Sequence, residues 1–182
     1  MKVVVHVAVS LDGATGGFEP DVGTYYELAR SFEEDVTLTG ADTILAQEAA
    51  LADAPRPGPT PGAPLLAVVD SRSRVTAWDA LRDCGHWSGV VALRSHGSLV
   101  ADVEALGGEV VRVDSGGTLN GALLRAGVVD EVSLLVHPVV VDGGRRWWGS
   151  EPPGGLSLRA ASVVGSGLAW LRYGVAGPTA AG

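Results

Sequence analysis

The chain has 182 residues, of which 46% are hydrophobic and 19% charged, and its formal net charge is −8. This length fits one domain or at most two small ones, and the apolar fraction is enough for a core. The acidic balance argues against a general nucleic-acid binder, because neutralising phosphates needs a basic face. The single cysteine, Cys84, excludes an internal disulfide and a multi-cysteine zinc site, which suits the cytoplasm.

The first predicted element is a strand over residues 3–9, which is β-branched and almost continuously apolar, as in a central strand covered on both faces. The run is too short to span a bilayer, and no signal-peptide cleavage site follows it. Turn residues break the pattern at positions 10–17. Helical spacing follows over residues 24–34, where Thr24 and Glu27 resemble a capping box.

The middle of the chain alternates predicted strands and helices, as in a parallel α/β sheet. A short strand at residues 36–38 is followed, after Gly40, by a helix over residues 41–51. The Pro- and Gly-rich segment 54–64 is predicted to be an exposed loop. Further strands are expected at residues 65–69, 90–93, 109–113 and 132–136, and further helices at residues 99–106 and 119–125.

The end of the chain has a different pattern. Apolar stretches at residues 156–164 and 168–175 flank Gly165-Ser166-Gly167, which indicates a closing hairpin. The sequence therefore predicts an α/β fold with a mainly parallel central sheet and a C-terminal antiparallel hairpin. We expect one domain over residues 1–176 and a frayed tail over residues 177–182.

The strongest chemical signal is a strand, a glycine turn and a helix over residues 110–124. Gly116 and Gly117 would let a phosphate approach the backbone, and Thr118 can cap the helix and offer a hydroxyl. The free N–H groups at the start of the helix favour an anion. The alternative is an ordinary turn between strand and helix, with glycines that serve packing.

Two more turns follow predicted strands, where open α/β sheets bind ligands. Gly40 separates a strand from a helix, and Thr39 and Thr43 supply hydroxyls, although a plain helix cap explains them equally. Residues 70–74 read Asp-Ser-Arg-Ser-Arg, a combination that suits a phosphate monoester such as the 2′-phosphate of NADPH, or else a solvated turn. The turn at residues 10–17 adds a fourth strand end. Together these turns predict a site for a phosphorylated dinucleotide.

No metal site is predicted from the histidines. One lies inside the apolar first strand and one precedes a proline at a strand end, so both are interpreted as structural. The other two lie in separate loops without metal spacing. In chain order the four are His6, His86, His96 and His137. Trp147 and Trp148 can line a site or a subunit contact, but packing is the default interpretation.

Taken in order, these motifs resemble the reductase domain of bacterial riboflavin biosynthesis, part of the dihydrofolate-reductase-like superfamily. The resemblance implies a three-layer fold and a homodimeric, NADPH-dependent reductase that converts the ribosyl group of a pyrimidine ribosylamine phosphate to ribityl. It covers nearly the whole chain. The matching segments are residues 9–13, 39–45, 69–72, 115–119, 120–131 and 134–140.

The resemblance also assigns site residues. Those that would cradle the cofactor phosphates are Gly40, Ala41, Asp42, Thr43, Ser115, Gly116, Gly117, Thr118 and Leu119, with Ser71 and Arg72 near the 2′-phosphate. The turn Ser10-Leu11-Asp12-Gly13, together with Asp114, would border the substrate. Asp12 and Asp114 are the catalytic candidates, either to orient the substrate or to relay a proton.

Two positions depart from the family pattern. Many members carry lysine where this chain has Ala14, and Glu-Gly-Gly where it reads Asp114-Ser115-Gly116-Gly117. Both positions lie near the substrate in the family. The departures leave open a dihydrofolate or other pterin reductase on the same scaffold, or a nucleotide-binding protein without catalysis.

Overall fold

The computed structural model describes residues 1–94, 98–150 and 153–176. The strands are β1 Lys2–Ser10, β2 Val36–Gly40, β3 Leu65–Val69, β4 Gly89–Leu93, β5 Val110–Val113, β6 Glu131–His137, β7 Leu156–Val164 and β8 Leu168–Val175. The helices are α1 Val22–Ala29, α2 Ala41–Leu45, α3 Glu48–Ala52, α4 Trp78–Asp83, α5 Leu99–Ala105 and α6 Gly117–Arg125, with one 3₁₀ turn at Arg30–Phe32. The predictions for His96 and for residues 177–182 fall outside the described residues.

All eight strands form one sheet in the order β4-β3-β2-β5-β1-β6-β8-β7. The strands from β4 to β6 are parallel, and β8 and β7 add to the β6 edge as an antiparallel hairpin. The predicted α/β class, the mainly parallel sheet and the C-terminal hairpin are confirmed. The hairpin strands have the predicted bounds, because short apolar runs around a glycine turn give an unambiguous pattern.

Helices cover both faces of the sheet, since alternate side chains of each strand point to opposite faces. One face packs against α5 and α6 in an apolar cluster that includes Val5 of β1, Val103 of α5 and Leu123 of α6. The other face carries α1, where Tyr25 packs against Leu135, and also α2 and α4. The protein therefore has three layers, with β1 near the centre of the middle one.

A gap opens in the sheet beside the end of β1. This strand pairs with β5 only from Lys2 to Val5, but it pairs with β6 as far as Ser10. The connection from β1 leads through α1 to β2 on one side, whereas the connection from β5 leads through α6 to β6 on the other. Such a divergence is a topological switch point, the place where open α/β sheets bind ligands.

Two predicted helix starts are wrong in detail. Helix α1 begins at Val22 and is capped by Asp21, whose carboxylate accepts hydrogen bonds from the backbone N–H and the hydroxyl of Thr24 at 2.9 Å each. Thr24 is therefore a donor to the cap, and the proposed capping box with Glu27 does not form. At α6 the cap position is Gly116, so Thr118 lies within the first turn and does not cap the helix.

The helix predicted over residues 41–51 is in fact two helices, α2 and α3, and helix α4 was not predicted. The first is interrupted because the N–H of Gln47 bonds to the carbonyl of Ile44, three residues back, at 2.9 Å. Helix α4, Trp78–Asp83, has only six residues and buries Ala80 and Leu81. One and a half turns give too little periodicity to detect. The segment 54–64 forms the expected loop.

Candidate functional site

A cleft of about 470 Å³ lies at the carboxyl ends of β2, β3 and β5. The three turns selected from the sequence meet there, and the volume is in the range of small-molecule sites. The structure thus brings the expected cofactor-binding residues together. Those that line the cleft are Gly40, Ala41, Asp42, Thr43, Ser71, Arg72, Ser115, Gly116, Gly117, Thr118 and Leu119.

The turns after β2 and β5 are joined by their own hydrogen bonds. The hydroxyl of Thr39 donates to the carbonyl of Asp114 at 2.7 Å, and the N–H of Gly40 donates to Ser115 Oγ at 3.2 Å. Inside α6, the buried side-chain amide of Asn120 donates to the carbonyl of Ser115 at 2.9 Å. These bonds fix the glycine turn in place, so the hydroxyl of Thr39 has a structural partner.

The two glycines of the turn have different roles. A Cβ on Gly116 would meet no atom within 4 Å, although the residue lines the cleft, so the backbone there is open to a ligand. A Cβ on Gly117 would collide with the carbonyl of Arg146, and one on Gly121 with the carbonyl of Trp148. The packing interpretation of this turn therefore applies to Gly117, whereas phosphate binding at Gly116 stays a prediction.

The turn after β3 is shaped by Asp70, which is buried. Its carboxylate accepts from the backbone N–H groups of Arg74 at 3.0 Å and Val75 at 2.9 Å. Because both oxygens are occupied in this way, Asp70 organises the turn, and it presents the exposed side chains of Ser71 and Arg72 at the cleft.

A second wall of the cleft comes from distant parts of the chain. Thr15 and Arg145 line it, and the N–H of Thr15 donates to the carbonyl of Arg145 at 2.9 Å. Thr15 belongs to the turn at residues 10–17, but it was not singled out there as a site residue, and no local motif marks Arg145. Ala14, where many relatives carry lysine, is fully buried and forms an antiparallel bridge with Arg146.

Asp12 lies in the turn after β1, and both oxygens of its carboxylate accept hydrogen bonds. Its Oδ1 accepts from Val141 N at 3.0 Å and from Ser10 Oγ at 2.7 Å, and its Oδ2 accepts from Arg146 Nη1 at 2.7 Å. The backbone N–H of Val141, with help from Ser10 and Arg146, holds the pKa of Asp12 far below its ordinary value. These contacts favour an orienting role for Asp12 over a proton relay.

Asp114 lies at the other end of the gap. Its Oδ2 is 3.3 Å from Nη1 of Arg112, a buried guanidinium that also pairs with Glu34 at 2.7 Å. Asp114 directly follows Val113, which pairs with Val5 of β1, whereas Asp12 lies in the turn beyond Ser10, the last residue of β1. The two catalytic candidates are therefore at opposite ends of the gap. The Asp114 side chain is 25% exposed and is accessible there.

His6 and His137, which were interpreted as structural, both make hydrogen bonds within the fold. His6 is fully buried, with Nδ1 3.0 Å from Ser133 Oγ and Nε2 3.1 Å from the carbonyl of Tyr25. Burial lowers the pKa of His6 to about 4, so the ring is neutral. His137 Nε2 accepts from the N–H of Asp21 at 2.9 Å.

The described residues contain no candidate metal site and no candidate membrane span. No group of three or more His, Cys, Asp or Glu side chains in residues 1–94, 98–150 and 153–176 is arranged to hold a metal ion. None of the helices described there is long and apolar enough to cross a membrane. Trp147 is buried in the main core, in line with the packing expected for it.

The strand order, the C-terminal hairpin and the cleft together define an α/β protein of the dihydrofolate-reductase-like architecture. Residues 1–170 match the family described as the RibD C-terminal domain. The chain belongs to that family, as its motifs indicated. No curated protein sequence matches the chain significantly.

Solved structures share the fold at low sequence identity. A pyrimidine reductase-like protein from Corynebacterium diphtheriae superposes with a TM-score of 0.70 at 16% identity, over 96% of this chain and 92% of that one. RibD of Acinetobacter baumannii gives 0.71 at 19% identity, over 96% of this chain and 58% of its own length. The riboflavin biosynthesis reductase Rib7 of Saccharomyces cerevisiae gives 0.65 at 17% identity, over 96% and 90%.

Proposed function

We propose that this chain is an NADPH-dependent reductase that transfers a hydride to the ribosyl carbon of a pyrimidine ribosylamine phosphate. The activity would be that of a 5-amino-6-(5-phosphoribosylamino)uracil reductase in riboflavin biosynthesis. The observation that carries the proposal is the convergence of three phosphate-type turns in one cleft of a RibD C-terminal domain. Similar structures named as pyrimidine or riboflavin biosynthesis reductases support it.

The residues of the cleft fit the cofactor. Gly116 leaves its backbone accessible to a diphosphate, and Ser71 and Arg72 offer a hydroxyl and a guanidinium for a 2′-phosphate. When bound, the reduced nicotinamide would supply the hydride. The protein would contribute mainly by holding the donor and acceptor carbons close together and by excluding competing reactions of the cofactor.

The substrate would occupy the gap beside β1, between Asp12 and Asp114. Reduction of an imine or an opened sugar adds a hydride to carbon and a proton to nitrogen or oxygen, so a group near the acceptor must orient it or pass on that proton. Asp114, accessible at one end of the gap, suits this task. Ser10, Asp12 and Gly13 would border the substrate at the other end, where Arg146, at 35% exposure, provides a cation despite the alanine at position 14.

The direct test is an assay of NADPH oxidation. Purified protein is supplied first with the pyrimidine ribosylamine phosphate and then, separately, with dihydrofolate. Turnover of the ribosylamine, with the ribityl product identified by mass spectrometry, supports the proposal. Turnover of dihydrofolate alone would replace it with a pterin reductase. NADPH binding without turnover of either substrate would make the chain a non-catalytic nucleotide-binding protein.

We further infer a single domain over residues 1–176 that acts in the cytoplasm as a homodimer. One sheet spans Lys2 to Val175, which favours one domain. Strand β7 is a nine-residue edge strand, and Leu158 and Val163 on it are 59% and 82% exposed. A second copy could cover this edge. Light scattering during size-exclusion chromatography should give twice the chain mass of 18.6 kDa.

A further inference from the structure

Three arginines line the cleft and give positive charge to two of its walls. Arg72 and Arg74 belong to the turn after β3, and Arg145 belongs to the loop after β6. Guanidinium groups from two walls are well suited to bind a phosphate between them. The state of these arginines before a ligand arrives therefore affects how tightly the ligand binds.

Two carboxylates also line the cleft, and one of them, Asp42, is paired with arginine side chains of both walls. Both oxygens of Asp70 accept backbone N–H groups. Asp42, in α2, pairs instead with arginine side chains. Its Oδ1 is 2.7 Å from Nη1 of Arg74, and its Oδ2 is 3.8 Å from Nη1 of Arg145. Asp42 thus links cations from the two walls across the opening of the cleft.

This arrangement is unexpected for a residue in a phosphate site. An ionised carboxylate accepts hydrogen bonds and donates none, so Asp42 would repel a phosphate. Its two arginine partners have the opposite preference. The side chain of Asp42 is 58% exposed, and those of Arg74 and Arg145 are 42% and 79% exposed, so all three can change partners without unfolding anything.

We propose that Asp42 is an internal competitor for the cofactor phosphate, which occupies Arg74 and Arg145 until a phosphorylated ligand displaces it. This inference rests on the proposed function, because it takes the cleft to be the NADPH site. A dianionic phosphate monoester competes better for the arginines than a hydroxyl does. Because only a ligand that takes these arginines must displace Asp42, the carboxylate lowers the affinity for a nucleotide with a 2′-phosphate more than for one without it.

The test compares dissociation constants of NADPH and NADH, measured by fluorescence titration, for the wild type and Asp42→Asn. Removing the carboxylate charge frees both arginines, so NADPH should bind about two- to fivefold more tightly, the factor that corresponds to exposed ion pairs. The gain for NADH should be smaller. A loss of affinity for NADPH, or no change, would overturn the proposal and make Asp42 a ligand of the bound nucleotide or a bystander.

Two further variants separate the mechanism from a general charge effect. Asp79→Asn changes the net charge equally but removes an exposed pair with Arg82 on α4, away from the cleft, and should leave NADPH affinity unchanged. In an Arg74→Met background, Asp42→Asn should lose most of its gain, because the contact of 2.7 Å is gone. An equal gain with Asp79→Asn, or a full gain without Arg74, contradicts the proposal.

These measurements also separate this inference from the proposed function. If the wild type binds NADPH but reduces no substrate, the reductase assignment fails while the Asp42 variant still decides the present inference. If neither the wild type nor Asp42→Asn binds NADPH, both fail together.

Discussion

Arg146 donates from Nη1 to Oδ2 of Asp12 at 2.7 Å, joining the turn after β1 to the loop after β6. The same guanidinium donates to the backbone carbonyl of Asp12. The loop that carries Arg146 packs on the start of α6 at Gly117 and lines the cleft with Arg145. The ion pair therefore connects the turn after β1 to the loop that forms one wall of the cleft.

Asp12→Asn should weaken NADPH binding several-fold, because the loop around Arg145 loses its anchor on the β1 turn. Asp79→Asn, with the same change in net charge far from the cleft, serves as the control.

The pKa of Asp12 is depressed, so the stabilising effect of its ionised carboxylate is present above the ordinary carboxyl pKa and is lost as the pH falls below it. The stability difference between wild type and variant should thus persist from pH 8 to about pH 5 and shrink below about pH 4. A difference that grows on acidification would show that Asp12 is not held as the ionised form.

Asp114→Asn should reduce turnover of the pyrimidine substrate while leaving the dissociation constant of NADPH unchanged. The reason is its position, at the accessible end of the gap and held by Arg112 at 3.3 Å. Asp114→Glu, which restores the residue common in the family, is the matched variant and should keep most of the activity. Steady-state kinetics on the three proteins decide the point, and unchanged turnover in Asp114→Asn would remove Asp114 from the mechanism.

The adjacent glycines Gly116 and Gly117 should respond differently to alanine. Gly116→Ala should fold with its stability changed by less than about 1 kcal/mol but bind NADPH more weakly, since its methyl group projects into the cleft. Gly117→Ala should cost about 1–3 kcal/mol, because the methyl group collides with the carbonyl of Arg146. Urea denaturation and NADPH titration of both variants test the pair. Equal losses of stability would mean that the turn has no open side.

The stability of the fold should depend on the protonation of His6. Burial lowers its pKa from 6.5 to about 4, so the folded state favours the neutral ring. The contribution of the neutral His6 ring to the free energy of unfolding is fully present above pH 6.5. It is lost as the pH falls towards 4, by up to about 3 kcal/mol. The loss should disappear in His6→Gln and remain in His86→Gln, where the histidine is exposed. Urea midpoints of the three proteins between pH 7 and pH 4 give the answer, and identical profiles would contradict it.

Local patterns were sufficient to predict the turns that form the cleft. Each follows a short apolar strand, and in a parallel sheet the carboxyl ends of strands meet at one edge, so motifs far apart in sequence meet in space. Gly116 and Arg72 could be placed together on this basis alone. The closing hairpin was equally accessible, because its pattern involves only neighbouring residues.

The contacts that the sequence did not predict are long-range pairings of ordinary residues. The hydrogen bond from Thr15 to Arg145 joins positions 130 residues apart, and no local pattern marks either partner. The pair of Asp12 and Arg146 is of the same kind, and it favours an orienting role for Asp12 over the proton relay that the sequence left open. Such pairings depend on how the loops after β1 and β6 pack, which only the folded structure determines.

The proposed NADPH site is tested most directly by the ratio of the dissociation constants of NADH and NADPH for the wild-type protein, measured by fluorescence titration at fixed ionic strength. We expect at least about tenfold tighter binding of NADPH, and the loss of that preference in Arg72→Met, because the turn after β3 presents Ser71 and Arg72 at the cleft, where they would hold the 2′-phosphate. Equal affinities, or a preference for NADH, would contradict it.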